Sequence, residues 1–549
     1  MTNYFSIGID FGTLSGRALL VDLTQKKEVD SEVFNYPHGV MESSLPDGTK
    51  LPSDFALQDP NDYLEVLSNT IPVILKRNNI KPEQVVGIGI DFTACTMLPV
   101  DESGQPLCFK EEYKSNPYAY VKLWKHHAAQ KQADRINQLA NERKEKWIER
   151  YGGKISSEWF FPKILETLEN APKVYEDTFR FVEAGDWVVW MLTGNETHNA
   201  CMAGYKAIWH KKDGFPSKDY FKALDPRMQN IIGSKVSDKI MPMGAKAGSI
   251  NGYASALTSL KEGTAVAVSN VDAHVAMPAV GITKADKMLM IMGTSTCHLV
   301  LGKEEKPVKG ICGVVEDGII EGFFGYEAGQ SCVGDHFDWF VKNCLPYDYK
   351  QEAEKEGLNP HAYLRKKAEI QKPGESGLLA LDWWNGNRSI LVDVDLTGVM
   401  LGMSLATKPH EIYRALIEAT AYGTRMIIEN FEKNGVKIDS LYAAGGIAEK
   451  DRMMMQIYAD VTKREIRISA SPNAPALGSA IFGALAGGYY SDIELAAKEL
   501  GKIKEEYYSP NPENFETYDK LYAEYEILHD YFGRGTNDVL KRLKDLRDS

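Results

Sequence analysis

The sequence predicts an α/β protein made of two related halves, and three observations support this. An apolar hairpin interrupted by a Gly-Thr turn occurs near the start and again past the middle of the chain. A helical stretch leading through a short polar link into a buried strand is likewise found in both regions. Finally, the 549 residues are 44% hydrophobic and 25% charged, a globular mix with enough apolar side chain for sizeable cores. Long-period echoes of this kind fix architecture before any single element does.

The first hairpin runs from Tyr4 to Asp22, where FSIGID and RALLVDL flank FGTLSG. Its counterpart spans Lys287 to Leu301, with MLMIM, GTST and CHLVLG. The helical pattern Asn61 to Lys76 passes through NNIKPEQ into VVGIGID, and Glu411 to Lys433 passes through NGVKIDS into LYAAGG. The spacing predicts a boundary near residues 281–286, hence units at 1–284, 285–500 and a helical tail at 501–549 packed on the second. Residues 105–250 hold most of the first unit's extra material, with a helical reading for Ala119 to Arg150 and aromatic runs in SSEWFFPKIL and GDWVVWMLTG.

The charge, 63 basic against 76 acidic residues for a net of −13, argues against a nucleic-acid or anionic-membrane binder. No export signal and no apolar run long enough to span a bilayer is visible, so a cytoplasmic location is expected. Seven cysteines without a CxxC pair suggest reduced thiols, mostly in the core.

In IGIDFGT an acid ends a strand and a Gly-Thr turn follows, placing exposed N–H groups beside a carboxylate. Gly12 and Thr13 suit phosphate oxygens, and Asp10 suits Mg²⁺ held directly or through water. The alternative is a tight hairpin with an Asp cap. The second copy supplies Gly293, Thr294 and Ser295 but has Met292 in place of the acid, which fits one Mg²⁺-nucleotide gripped from two sides. In AVAVSNVDAHVAMPAVG, Asp272 falls past a strand end at a helix start, where a carboxylate can accept a hydroxyl proton; an N-cap is the competing reading. Gly445 and Gly446 lie between a strand and a helix, open to a base or ribose, while NAPALGSAIFGALAGG reads equally as a ligand-facing or a close-packed helix. Neither GxGxxG nor GxxxxGK[ST] occurs, so a nucleotide site of another type is required.

In order and spacing, GIDFGTLSGRALLVD, GIDFTACTMLPVD, KLWKHHAA, GGKISSEWFFPKIL, SNVDAHVAMPAVG, IMGTSTCHLV, FFGYEAGQSCVGDHFDWF and AAGGIAEKDRMMMQIYADV resemble the FGGY carbohydrate kinases of the actin/hexokinase/Hsp70 ATPase superfamily. Within that family they are most similar to the branch that phosphorylates L-ribulose in L-arabinose breakdown. The resemblance implies two duplicated ribonuclease-H-like domains of the actin-like ATPase type, closing on a central cleft. It implies ATP and Mg²⁺ as cofactors and transfer of a phosphoryl group to the terminal 5-hydroxyl of a ketopentose. Asp272 matches the family's base, Asp10 its Mg²⁺-linked acid, and Gly12, Thr13, Gly293, Thr294 and Ser295 the phosphate loops. Gly445 and Gly446, with Ala476 and Gly478 nearby, match the adenosine motif. The ribulose branch further implies Ala94, Trp124, Lys206 and Glu327 around the sugar together with Asp272, and a homodimer as the assembly. The segment LWKHHAA departs from the D-x-R pattern of many family members, so sugar contacts of the glycerol and xylulose kinases do not transfer. A kinase for D-ribulose, ribitol or xylulose is the nearest rival reading, and a non-catalytic sugar/ATP sensor the rival of another class.

Overall fold

The computed structural model describes residues 3–548 and shows two seven-stranded mixed sheets. The first runs in the order Lys246–Ser249, Ala265–Ala267, Val85–Phe92, Phe5–Phe11, Ser15–Asp22, Lys27–Asn35, with Asn270–Val271 also paired to Val85–Phe92. The second runs Gly313–Glu316, Phe324–Gln330, Thr296–Gly302, Lys287–Met292, Ser440–Ala444, Ile466–Ser469, Ile503–Tyr508. In both, a run of antiparallel strands comes first, three in the first sheet and four in the second; a helix then crosses over, and two further strands join parallel to the opening one. The two halves predicted from the hairpin echo are therefore two copies of one topology.

The crossover helices form where the apolar spacing places them. In Pro60–Arg77 the Asp59 side chain accepts from the Asn61 amide, Pro60 sits in the first turn, and Lys76 and Arg77 end the helix against its negative pole. Its buried face, Tyr63, Val66, Leu67, Ile71 and Ile74, covers the first sheet. Pro409–Lys433 does the same for the second sheet with Tyr413, Leu416, Ile417, Ile427 and Ile428.

One helix joins the halves. Ala474–Ala486 follows the second sheet's strand Ile466–Ser469, yet it lies on the first sheet. Glycines make this possible: a Cβ at Gly8 would stand 1.8 Å from the Ala476 carbonyl oxygen, and one at Gly89 2.0 Å from that of Ser479. The Ser6 hydroxyl donates to the Ala480 carbonyl at 2.7 Å across the same contact.

Two segments differ from the sequence expectation. Within Ala119 to Arg150 the α-helix is confined to Gln130–Arg143, because Val121–Lys122 pairs with Leu57–Gln58 as a strand. The region after Ile503 is not wholly helical. Ile503–Tyr508 forms the edge strand beside Ile466–Ser469, and helices follow at Phe515–Gly533 and Val539–Asp548. Its IKEEYY sequence runs three charged residues into two tyrosines on an exposed edge with no period-two alternation, a weak strand signal. All seven cysteines are unpaired, six of them buried or half-buried. Among the described residues no helix is long and apolar enough to cross a membrane.

Candidate active site

Three acids meet at one end of the first sheet. The pentapeptide IGIDF occurs twice, at 7–11 and 88–92, and the parallel register sets the two copies side by side, so Asp10 opposes Asp91. Asn270 opposes Asp91 from the next strand, and two residues later Asp272 begins the helix Asp272–Ala279. Burial raises the Asp10 carboxyl, while a hydrogen bond with Asp91 and the Arg17 charge partly offset the rise. Burial and the Asp10 charge push Asp91 well above the usual carboxylate range, and the Ser479 hydroxyl donates to it at 2.6 Å. Burial, then the Asp10 charge, lifts Asp272 to about 7. Asp272 caps no later amide of its helix; its Oδ1 accepts only from the adjacent Ala273 N–H at 2.6 Å. Asp91 was not singled out from the sequence, although the exact repeat of IGIDF was the signal that pointed to it.

The glycine turns stand around this cluster. In the first hairpin the Gly12 N–H donates to the Ser15 carbonyl at 2.9 Å, leaving Thr13 at the tip, where its hydroxyl accepts from Trp124 Nε1 at 3.1 Å. In the second, Gly293 N–H donates to the Ser295 carbonyl at 2.9 Å, and the Gly334 N–H donates to the Gly293 carbonyl at 3.0 Å. Gly445, at φ +99°, presses on Met292: a Cβ would lie 2.4 Å from that residue's carbonyl oxygen. Gly445 and Gly446 are exposed, and nothing lies within 4 Å of a Cβ at Gly446. Gly293, Thr294, Ser295, Gly445 and Gly446 thus share one end of the second sheet. Ala476 and Gly478 are not exposed as Gly445 and Gly446 are. Both are buried in the helix that joins the halves, and a Cβ at Gly478 would meet the Val275 carbonyl oxygen at 1.9 Å, so close packing describes what they touch.

A third group spans the halves beside Asp272. Lys206, ending the helix Ala200–Lys206, holds its Nζ 3.4 Å from both oxygens of Glu327 on the strand Phe324–Gln330. His274 Nε2 lies 3.3 Å from Glu327, and Arg388 donates to it as well. Burial alone would raise the Glu327 carboxyl, yet Lys206 and Arg388 hold it well below the usual range. Burial would likewise lower Lys206, and Glu327 raises it instead. Trp124, 38% exposed, is carried by a segment fastened on both sides: Lys122 Nζ donates to Glu166 at 2.6 Å and His126 Nε2 lies 3.0 Å from it. Ala94 belongs to a turn in which Cys95 takes φ +58°, tied down by buried Lys163, whose Nζ donates to the Cys95 carbonyl at 2.6 Å. Arg388 and Lys163 carried no sequence signal, since each acts on a partner distant in the chain.

The whole is a wall of carboxylates at the end of the first sheet, glycine turns beside it, and a polar corner between the halves where Lys206 and Arg388 face Glu327. Buried acids, two of them raised further by the Asp10 charge, are what a hard divalent cation relieves, so the oxygen donors at Asp10 suit Mg²⁺. Among the described residues no group of three His, Cys, Asp or Glu side chains is spaced to hold a metal alone, which leaves phosphate and water to complete such a shell.

The model for the FGGY family of carbohydrate kinases, N-terminal domain, matches residues 5–279, and that for its C-terminal domain matches 288–487. The chain belongs to the FGGY family of carbohydrate kinases. It is 58% identical over 540 residues to a ribulokinase of Bacillus licheniformis, covering 97% of this chain and 98% of that one. A ribulokinase of Halalkalibacterium halodurans is 54% identical over 552 residues, covering 100% and 98%. Among solved structures, a gluconate kinase of Lactobacillus acidophilus superposes with a TM-score of 0.81 at 17% identity (97% and 99% covered), and a xylulose kinase of Rhodospirillum rubrum with 0.78 at 21% (96% and 99%). At such identities these structures speak for the fold alone. In this FGGY kinase the duplicated sheets and the cleft are those of the family, and a carbohydrate kinase draws its phosphoryl group from ATP.

Proposed function

We propose that this FGGY kinase is a ribulokinase, transferring the γ-phosphoryl group of ATP to the 5-hydroxyl of L-ribulose to give L-ribulose 5-phosphate in L-arabinose catabolism. The observation that carries the chemistry is Asp272, a carboxyl lifted to about 7 at the junction of the acid cluster and the Lys206–Glu327 corner. A base is most effective with a pKa near the working pH, and this environment provides one. The substrate assignment draws on the identity to ribulokinases over nearly the entire chain.

In this reading Lys206 and Glu327 donate to and accept from the sugar hydroxyls, Trp124 walls the pocket and the backbone at Ala94 closes it. Asp272 takes the proton from the terminal hydroxyl as its oxygen attacks phosphorus. The N–H groups of Gly12 and Gly293 are engaged in their own turns, so the hydroxyls of Thr13, Thr294 and Ser295 and the remaining turn amides receive the phosphoryl oxygens. Gly445 and Gly446 leave room for adenosine. Mg²⁺, held near Asp10 through water, would neutralise charge on the phosphates. Closure of the halves excludes water that would otherwise consume ATP.

The test is phosphorylation by the purified protein with MgATP across L-ribulose, D-ribulose, L- and D-xylulose, ribitol and glycerol. The highest kcat/KM is expected for L-ribulose. A higher value for another sugar reassigns the substrate, and the absence of sugar phosphate from every one would leave the sensor reading.

A further inference from the structure

The corner between the halves holds one cation that the proposed chemistry leaves without a task. Arg388 lies in the irregular segment after Trp384, in the second half. Its guanidinium donates to Glu327, and its Nε and Nη1 face the Cys312 and Cys297 sulfurs at 3.1 and 3.7 Å. It lies flat on the strand that carries Glu327: a Cβ at Gly329 would be 3.0 Å from Nη1 and 3.1 Å from Cζ. The neighbouring backbone is fastened to the same strand, since the Gly329 N–H donates to the Ser389 hydroxyl at 3.2 Å. Asn387 and Asp393 exchange two backbone hydrogen bonds of 2.8 Å, which closes the segment on itself. Arg388 and Glu327 are therefore one rigid unit of the second half.

Lys206 comes from the first half and behaves differently. It is 6% exposed, its Nζ stands 5.4 Å from the centre of the Trp159 ring, and the only hydrogen bonds of that Nζ among the described residues are the two 3.4 Å contacts to Glu327. These are at the long limit for such bonds, where an unshared ammonium and carboxylate close to about 2.8 Å. We propose that Arg388 is a positioning residue for sugar binding: it holds Glu327 within the second half, which keeps Lys206 from collapsing into a tight pair and leaves both with hydrogen-bonding capacity for a polyol. A guanidinium fork fixes a carboxylate in a way an ammonium cannot.

This inference rests on Lys206 and Glu327 being sugar contacts, and the experiment separates the two. KM for L-ribulose and for ATP are measured in Arg388→Ala, Arg388→Lys, Lys206→Met and Glu327→Gln, with thermal unfolding as a check on folding. Arg388→Ala should raise the sugar KM by about 10- to 100-fold, the scale of a hydrogen bond to a charged group, and leave the ATP KM within about twofold. Free guanidinium ion should restore part of the sugar affinity of Arg388→Ala, and Arg388→Lys should fall between that variant and wild type. If Lys206→Met and Glu327→Gln raise the sugar KM while a folded Arg388→Ala does not, or if both KM values rise together, the positioning role is overturned. If none of the variants changes the sugar KM, the sugar-contact reading fails with it. Should Arg388→Ala not fold, a wild-type sugar KM in Arg388→Lys overturns the proposal by itself.

Discussion

Asp272→Asn is expected to slow the reaction and stabilise the fold together, with the stabilisation growing as pH rises. The carboxyl stands at about 7 in the folded chain against an ordinary 3.8, which at about 1.4 kcal/mol per tenfold in proton affinity is at most about 4 kcal/mol. Between about pH 4 and 7 the folded chain keeps a proton that the unfolded chain has released. Wild-type stability therefore falls as pH rises through that window, and the full cost is present above pH 7. Asparagine never ionises and escapes this cost. The gap between variant and wild type should be near zero at pH 4 and reach at most about 4 kcal/mol at pH 8. With an unfolding entropy of roughly 2.1 cal/mol/K per residue over 549 residues, that is an increase of about 3–4 °C in Tm at pH 8. Calorimetry at pH 5 and pH 8 reads the gap, and kcat should drop by about 10² or more because the proposed base is lost. A gap that stays constant with pH, or a kcat within tenfold of wild type, would refute the reasoning.

Three further outcomes follow from the same geometry. In Asp10→Asn the negative charge that helps lift Asp272 is gone, so the acid limb of the kcat/KM profile, expected near pH 7 in wild type, should move to lower pH while kcat falls; a pH–rate series reads both. Gly445→Ala combines a strained φ of +99° with a 2.4 Å approach to the Met292 carbonyl, so the ATP KM should rise by about tenfold with the sugar KM little changed, as steady-state kinetics would show. Gly89→Ala drives a methyl group to 2.0 Å from the Ser479 carbonyl and should cost about 1–3 kcal/mol, seen as a lower Tm by calorimetry.

What could be read from the sequence depended on how far apart the interacting parts lie. The hairpins and crossover helices were legible because each is built by neighbours: Gly12 bonds Ser15, and Pro60–Arg77 buries its own periodic face. The acids at 10 and 272 could be picked out because one ends a strand and the other follows one. Their coupling could not, for it depends on a register that sets Asp10 against Asp91, even though the repeated IGIDF announced that register. The small-residue run at 474–486 read equally as a ligand-facing or a close-packed helix, because the partners that decide it, Gly8, Gly87 and Gly89, lie near the other end of the chain. Nothing local distinguishes Arg388 from a surface arginine, because its role comes from Glu327 on a strand that precedes it.

The net charge of −13 set aside polyanions as general partners, and the cleft explains how an acidic chain can still serve a nucleotide. Two neighbouring carboxylates are driven in opposite directions. Asp272 is buried beside the Asp10 charge and rises to about 7, whereas Glu327 sits between Lys206 and Arg388 and stays ionised far below that. Environments that push paired acids apart divide their labour: the raised one exchanges a proton near neutral pH, and the lowered one remains a fixed acceptor. On the proposed reading, the fixed acceptor orients sugar while the raised acid awaits a hydroxyl. On the same reading the acid cluster would take a divalent ion that arrives with the nucleotide, so the positive charge the phosphates need would not have to be built into the chain.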